Sequence, residues 1–370
     1  MSHPGGTNAL RATVYGLLVL GAFSLGCGPK GCSCKGLPKN PLFGVQKAPV
    51  HSDVEMISEG AEPKVALRVA RWAGLRYRLI VEGSGSMALE GGPPLEGPTV
   101  TTTVDREVLR GSADPIVTTV DGGTMDLIEE RAVITRMAVR QPGAAPGTVD
   151  AWNRMLHPLE GTPLRFLVAE SAAVVSVEGE RGDVAPPKEV QAMVKQTLET
   201  QRHFPFRLPS VPVGVGARWR FSDRLEFAGI QIEQIAEMTL KSLSESTAIV
   251  GLVLRQGAAR QTIPHPFYPG KVAMVEQFRG DGDGQLEVDR LTAIVKKGRL
   301  VSAARLTLTG EINGQVGTGS LTAMSTMTSR GMVLDENAAG ADDSDGGAGE
   351  AAPGAPAAAP AQAAPPTGAD

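Results

Sequence analysis

The feature that most constrains this fold is the alternation of apolar and polar residues, which recurs along the chain between residues 64 and 334. It is clearest in segments 64–70 and 75–81. The same pattern returns in segments 99–104, 116–120, 132–139, 164–168, 173–177, 217–221, 229–240, 247–255, 271–279, 285–293, 300–308 and 317–327. Because a period of two residues places alternate side chains on opposite faces of a strand, it predicts a mainly β, antiparallel fold. A short helix is predicted over residues 150–156, with Asp150 as its N-cap.

These strands fall into two groups. β-rich halves are predicted at residues 64–183 and 216–334, forming a sandwich or half-open barrel, and residues 184–215 connect them. The connection begins with an amphipathic helix over 187–203 and continues as an extended proline-rich segment, because proline interrupts helices and cannot donate a ladder hydrogen bond. The helix packs on the sheet or closes over a ligand, and the sequence leaves both interpretations open. Its apolar stripe, which supplies the candidate lid residues, consists of Val190, Met193, Val194 and Leu198.

An uncharged segment near the N-terminus indicates where the chain goes. Residues 12–26 carry no charge and follow Arg11. This run is shorter than the ~20 helical residues that a bilayer core requires, but it is typical of the apolar centre of an export signal. We therefore predict a signal peptide over residues 1–26, with an uncleaved membrane anchor as the alternative.

The end of this segment, Ser24-Leu25-Gly26-Cys27, resembles the lipobox of bacterial lipoproteins. The resemblance implies that the Cys27 thiol is acylated and becomes the mature N-terminus, so that the lipid holds the protein on a membrane. Ser24 and Leu25 depart from the order that the family prefers, and an ordinary cleaved secretory signal is the alternative. Gly28 stands where an aspartate would favour the inner membrane, so the outer membrane is expected, with the body facing the periplasm or the surface. Residues 27–63, rich in Gly, Pro and Lys, are predicted to form a flexible tether.

Segments of the body carry a second resemblance. They are residues 173–179, residues 209–219 with a Val-x-Val-Gly-x-x-Trp motif ending at Trp219, and residues 284–290 and 297–302. In this order and spacing they resemble a family of uncharacterised bacterial envelope lipoproteins over about residues 64–332. The resemblance implies an envelope location and a β-rich fold. It supplies no catalytic residues.

The distribution of charge limits the classes of partner. The formal net charge of the chain is −4, and residues 336–370 contain six acidic and no basic residues. The rest of the chain is therefore nearly neutral and lacks the positive field that nucleic-acid binding requires. The tail, residues 335–370, is rich in Ala, Pro and acids and cannot bury enough apolar surface to fold, so it is predicted to be disordered.

The sequence contains no motif that predicts catalysis. Gly-x-Ser-x-Gly, His-Glu-x-x-His and dinucleotide-binding patterns do not occur, so we expect a protein without enzymatic activity or cofactor. Segment 280–289 places oxygen ligands at alternate positions, as a calcium loop does, although Leu286 stands where such a loop requires glycine. A tight Asp-Gly turn between strands is the alternative interpretation. The five candidate calcium ligands are Asp281, Asp283, Gln285, Glu287 and Asp289.

Two functions fit these observations. In the first, a non-enzymatic envelope lipoprotein binds a protein or cell-wall partner on the surfaces of its sheet. In the second, the protein carries a lipid or another apolar ligand in a half-open barrel beneath the 187–203 helix. An apolar cavity between helix and sheet would favour the second function.

Overall fold

The computed structural model describes residues 54–120, 123–179, 206–227, 229–265, 271–312 and 315–334. These residues confirm the mainly β fold. The strands are β1 (Glu55–Ser58), β2 (Arg76–Leu89), β3 (Leu95–Glu96), β4 (Thr99–Arg110), β5 (Ile116–Val120), β6 (Gly123–Arg140), β7 (Pro163–Ala169), β8 (Val174–Gly179), β9 (Arg218–Phe227), β10 (Ile230–Leu243), β11 (Thr247–Ala258), β12 (Gln261–Pro264), β13 (Val272–Asp289), β14 (Val295–Ile312) and β15 (Gln315–Val333). The helix α1 (Thr148–Leu156) precedes a 3-10 turn, His157–Leu159.

All fifteen strands of the described residues belong to one sheet. Its order is β1-β9-β10-β11-β13-β14-β15-β2-β4-β6-β7-β8, with β3, β5 and β12 paired to β2, β6 and β13. Most neighbours in the sheet are also neighbours in the chain, because short turns suffice to connect antiparallel strands. The order is an open path that ends at β1 and β8, so the sheet does not close on itself.

The two predicted halves meet within this sheet. The first half supplies β2–β8 and the second supplies β9–β15, and they join where β15 pairs with β2. This pairing runs from Leu321 opposite Leu89 to Val333 opposite Tyr77. A long ladder of backbone hydrogen bonds therefore connects the halves, and the described residues belong to one compact unit.

The main core lies on one face of the sheet, here called the inner face. Trp219 in the second half and Tyr77 in the first are both almost completely buried there. Val108 and Ile128 of the first half pack into the same cluster as residues of β9, β10, β11 and β13. The sheet is thus curved so that strands from both halves share one core. The Trp219 indole N–H donates to the carbonyl oxygen of Arg207, at 2.9 Å.

The alternation in residues 65–70 predicts burial correctly but not conformation. Leu67 and Val69 are buried, yet this segment is not a strand. Val65 forms only an isolated bridge with Val213. The segment crosses the end of the core, so its apolar side chains are buried on one side. It has no neighbouring strand with which to pair in register.

The helix α1 covers a second core on the inner face of β4, β6 and β7. Leu156 at its end and Leu159 in the following turn are fully buried. The helix is present as predicted, but Asp150 is not its cap. Its N-cap is Gly147, whose φ of 78° is left-handed, and Asp150 lies in the first turn. Glycine reaches that conformation without steric strain, and an acid in the first turn still favours the helix dipole.

Several predicted features lie outside the described residues. They are the signal peptide, Cys27, the 187–203 helix with Val190, Met193, Val194 and Leu198, and the tail from residue 335. Within the predicted tether, Glu55–Ser58 forms β1, a strand too short to show an alternating pattern. No helix in the ranges given above has the length and apolar character to cross a membrane.

Candidate functional site

The inner face changes character at the central strands β13, β14, β15 and β2. The register of these strands places Gly282, Ser302, Ser325 and Gly85 side by side. Residues two positions along each strand share the same face, so a second row adjoins the first, with small residues on β13, β14 and β15 and with Met87 on β2. The floor formed by both rows consists of Gly280, Gly282, Ser302, Ala304, Ala323, Ser325 and Gly85.

Large apolar side chains border this floor on both sides. Leu300 and Met327 pair on one side, and Leu306 and Leu321 pair on the other. The two pairs are six residues apart along their strands, which corresponds to about 20 Å. All four side chains are partly buried rather than enclosed. We call the floor together with these four residues the inner-face trough.

Glycines allow the strands of the trough to approach one another closely. A Cβ atom at Gly284 would lie 2.5 Å from the carbonyl oxygen of Arg299, and one at Gly85 would lie 2.5 Å from that of Met324. Both distances are below 3.0 Å, which real Cβ atoms essentially never show. Only glycine permits so close an approach between strands. The predicted Asp-Gly turn is therefore wrong, since β13 runs unbroken through this segment and Gly284 permits the close approach to β14.

A polar pair lies at one end of the trough. Gln234 of β10, Gln256 of β11 and Gly280 of the floor occupy one row across the sheet. The Gln256 amide donates to Gln234 Oε1, at 2.8 Å. Ser302 and Ser325 of the floor share a hydrogen bond between their Oγ atoms, at 2.7 Å. The trough therefore combines apolar walls with amide and hydroxyl groups that donate and accept hydrogen bonds.

A buried ionic cluster lies on the inner face of the first half. The Glu130 carboxylate, fully buried on β6, accepts hydrogen bonds from Arg71, from the Tyr77 hydroxyl at 2.8 Å and from Arg106 Nη1 at 3.2 Å. The Arg106 guanidinium also lies over the Phe166 ring, 4.3 Å from its centroid. We call Glu130, Arg71, Arg106 and Tyr77 the Glu130 cluster. It connects three strands of the first half to the segment that closes the core.

The protonation states of this cluster are fixed near neutral pH. Burial alone would raise the pKa of Glu130, but Arg71, Arg106 and the Tyr77 hydroxyl together hold that pKa below its ordinary value. Burial raises the pKa of Tyr77 to about 12. Glu130 is thus a carboxylate and Tyr77 a neutral donor at physiological pH. The cluster is suited to holding strands together and not to proton exchange.

The candidate calcium ligands lie along the outer face of β13. Asp281, Asp283, Gln285, Glu287 and Asp289 occupy alternate positions of an extended strand, so successive ones are about 6.7 Å apart. Asp289 pairs with Lys296 at 3.0 Å. In the part of the chain that the structure describes, no group of three or more His, Cys, Asp or Glu side chains could hold a metal ion.

A second depression lies on the outer face, where β2 changes neighbours. β2 pairs with β4 as far as Gly83 and with β3 from Ser86 onward. The groove at this change has a volume of about 490 Å³. No sequence signal marks this groove, because none of its residues belongs to a motif and the change of neighbours exists only in the folded sheet. Side chains that line it include Ser84, Ser86, Glu96, Gln141, Met324 and Thr326.

Comparison with known proteins assigns no family. No protein-family model matches the chain, and no curated protein matches its sequence. Among solved structures, it is similar to lipovitellin, described for its lipid–protein interactions, with 12% identity and a TM-score of 0.38 over 71% of this chain and 25% of that chain. An outer membrane channel from Pseudomonas putida F1 gives 7% identity and a TM-score of 0.15 over 71% of this chain and 97% of that one. The P. putida toluene transporter TodX gives 7% identity and a TM-score of 0.14 over 70% and 90%.

The chain spans only a quarter of the length of the lipovitellin chain that it matches. Structural similarities with such low TM-scores assign no activity, ligand or partner to this chain.

Proposed function

We propose that this protein is a lipid-anchored envelope lipoprotein that holds a lipid or another apolar ligand in the inner-face trough. The observation that carries the proposal is the position of Leu300, Met327, Leu306 and Leu321, which stay partly exposed beside a floor of Gly, Ser and Ala residues. Apolar surface gains roughly 25 cal/mol for each Å² removed from water, so a ligand lying between these walls would be stabilised. In this proposal the protein binds its ligand and does not transform it.

The dimensions and the polar groups indicate the kind of ligand. The floor spans four neighbouring strands, which corresponds to about 14 Å. An acyl chain lying across the strands would contact the walls along that length. Its polar end would reach Gln256, whose side chain lies against Gly280 at the end of the floor. The proposed ligand therefore has an apolar chain and a polar group that hydrogen-bonds with amides.

The trough predicts that one wall substitution abolishes ligand retention. In Leu321→Asn a polar side chain replaces an apolar one at the wall. We expect co-purified lipid to disappear and the affinity for the fluorescent probe cis-parinaric acid to fall about tenfold or more. The reason is that burial of one leucine contributes ~1.5–3 kcal/mol. Native mass spectrometry of the intact protein measures the retained ligand. Titration with cis-parinaric acid measures the affinity.

The matched control lies on the other face of the same strand. Met324 is 55% exposed on the outer face of β15, so Met324→Asn changes polarity equally without touching the trough. This variant should retain the lipid and bind the probe as the unmodified protein does. Equal probe affinities for both variants and the unmodified protein would rule out the trough as the binding site.

The outer groove supports a second candidate function, the binding of a polar envelope partner. Its hydroxyl, amide and carboxylate side chains, among them Ser84, Gln141 and Glu96, suit hydrogen bonding to a peptide or a cell-wall polymer. Under this alternative, cross-linking at Met324 in intact cells captures the partner. A substitution at Leu321 would leave that capture unchanged.

The proposed anchor makes an independent prediction. Cells grown with radioactive palmitate should label the unmodified protein, whereas Cys27→Ala should remain unlabelled and leave the membrane fraction, because several acyl chains supply the membrane affinity. Cys32→Ala is the control and should be labelled normally. Label that persists in Cys27→Ala would place the lipid elsewhere.

A further inference from the structure

Three exposed apolar side chains stand on separate turns at one end of the sheet. Leu291 lies between β13 and β14, Val215 precedes β9, and Trp72 lies in the segment before β2. Their exposed fractions are 63%, 45% and 53%. We call these three residues the rim.

Backbone contacts show that the rim residues share one end of the molecule. The amide of Ala70 donates to the carbonyl of Leu291 at 3.0 Å, which places the segment with Trp72 against the β13–β14 turn. The amide of Gly216, next to Val215, donates to Leu240 at 2.8 Å, near the end of β10 where the next turn of the sheet begins.

The Trp72 segment is held rigidly. The Arg71 side chain is buried in the Glu130 cluster, and its Nε donates to the Thr292 carbonyl at 2.8 Å. The amide of Ser112 donates to the Arg71 carbonyl at 2.7 Å. Trp72 therefore stays exposed although both neighbouring turns fix its backbone. Exposing the apolar indole of Trp72 to water is unfavourable, yet the fold keeps it in this position. A partner that buries the indole would explain this.

The spacing of the rim favours a lipid surface over a protein. Strands β10 and β11 lie between β9 and β13, so the strands that adjoin Val215 and Leu291 are about 14 Å apart. Isolated side chains at such intervals do not form the contiguous patch that a protein interface needs. They suit a bilayer, since a fluid interface accepts separate apolar side chains, and Trp is enriched at the headgroup level.

The first described residues of the chain lie near the rim end of the sheet. β1 pairs with the first residues of β9, from Ser58 opposite Arg218 to Glu55 opposite Arg220, which lie close to the rim. Cys27 precedes Val54 by 27 residues, a length that reaches at most roughly 90 Å. With the proposed acyl anchor at Cys27, a tether of this length lets the rim end lie against the membrane.

From these observations we propose that the rim docks onto the lipid bilayer, with the Trp72 indole inserted at the headgroup level and Leu291 and Val215 beside it. This inference rests on the proposed membrane anchor and not on the trough. It specifies how the body is oriented on the membrane, with the β9 and β13–β14 turns facing the lipid.

Brominated lipids provide the test. The full-length acylated protein is reconstituted in phosphatidylethanolamine–phosphatidylglycerol vesicles with and without brominated acyl chains, and tryptophan fluorescence is recorded. Trp72 is 53% exposed, whereas Trp219 is fully buried and Trp152 packs partly buried against the second core, so we expect bromine to quench mainly Trp72. Trp72→Phe should remove most of the quenching. Leu291→Ser should reduce it at least about twofold, because the turn loses its apolar contact with the lipid.

The control variant is Val316→Ser. Val316 is 74% exposed, at the start of β15 near the opposite end of the sheet, and its replacement should leave the quenching unchanged. Equal emission from brominated and ordinary vesicles would overturn the proposal, and so would quenching that survives in Trp72→Phe. Quenching that survives both in Trp72→Phe and in the double variant Trp72→Phe/Trp152→Phe comes from Trp219, on the inner face, and would indicate lipid bound in the trough. The two proposals therefore fail separately.

Discussion

Replacing Glu130 with alanine is expected to lower the free energy of unfolding by about 3–5 kcal/mol. The substitution leaves the Arg71 and Arg106 guanidinium groups buried without the carboxylate that both contact. Their exposed fractions are only 8% and 9%, so water cannot replace the lost partner. Since whole domains are stable by only about 5–15 kcal/mol, a loss of this size is a large share of the total. Urea unfolding followed by circular dichroism measures it.

An exposed ion pair supplies the control for this prediction. Glu55 on β1 pairs with Arg220 on β9 at 2.8 Å, and both side chains are about half exposed. Glu55→Ala should therefore cost at most about 1 kcal/mol, because solvent screens surface pairs. If Glu130→Ala were no more destabilising than Glu55→Ala, the Glu130 cluster would contribute nothing specific to stability.

The same cluster predicts a dependence on pH. The pKa of Glu130 in the folded protein lies below the ordinary carboxyl value of 4.5. The unfolded chain then binds a proton more readily than the folded one, so the contribution of Glu130 is complete above that ordinary value and is lost as the pH falls below it. The stability difference between the unmodified protein and Glu130→Ala should thus shrink in acid. A difference that grows toward low pH would contradict the lowered pKa.

Replacing Gly284 with alanine is the second substitution expected to have a large effect, a loss of about 1–3 kcal/mol. The new methyl group would lie 2.5 Å from the carbonyl oxygen of Arg299 and 3.2 Å from the Cα of Leu300. Both are backbone atoms that cannot rotate away, so β13 and β14 must separate. Because Leu300 is a wall residue, the same change should weaken cis-parinaric acid binding in the trough. Thermal unfolding and probe titration measure the two effects.

Gly257 offers a matched control within β11. A Cβ atom there would meet nothing within 4 Å. Gly257→Ala should therefore be neutral or stabilise the protein by up to about 1 kcal/mol, since alanine loses less conformational entropy than glycine on folding. If both substitutions had the same effect, the close approach at Gly284 would have no energetic consequence.

The trough and the rim assign different roles to two regions of one molecule. The trough lies in the middle of the inner face, and the rim lies on turns at one end of the same sheet. We propose that the trough binds a lipid as its ligand and that the rim contacts the surface of a lipid bilayer. Substitutions at Leu321 and at Trp72 separate these roles, because neither residue belongs to the other site.

The amino-acid sequence by itself determined the type of secondary structure and much of the burial. A period of two residues depends only on neighbours along the chain, so it predicted the strands and their antiparallel arrangement. It also predicted the burial of Leu67 and Val69, although their segment crosses the end of the core instead of joining the sheet. The export segment and Cys27 were likewise local features, and their prediction stays untested by the described residues.

Only the tertiary structure decided which of these strands are neighbours and which residues meet. Glu130 follows another glutamate in a charged stretch of β6 and has no local sign of a buried role. Its three partners lie 59, 53 and 24 residues away in the sequence, and contacts at such distances leave no periodic signal. The glycines of β13 were interpreted as a turn for the same reason, since their conformation is set by the strand beside them. Curvature, the trough and the Glu130 cluster all depend on the pairing between strands, which the order of residues along one strand does not encode.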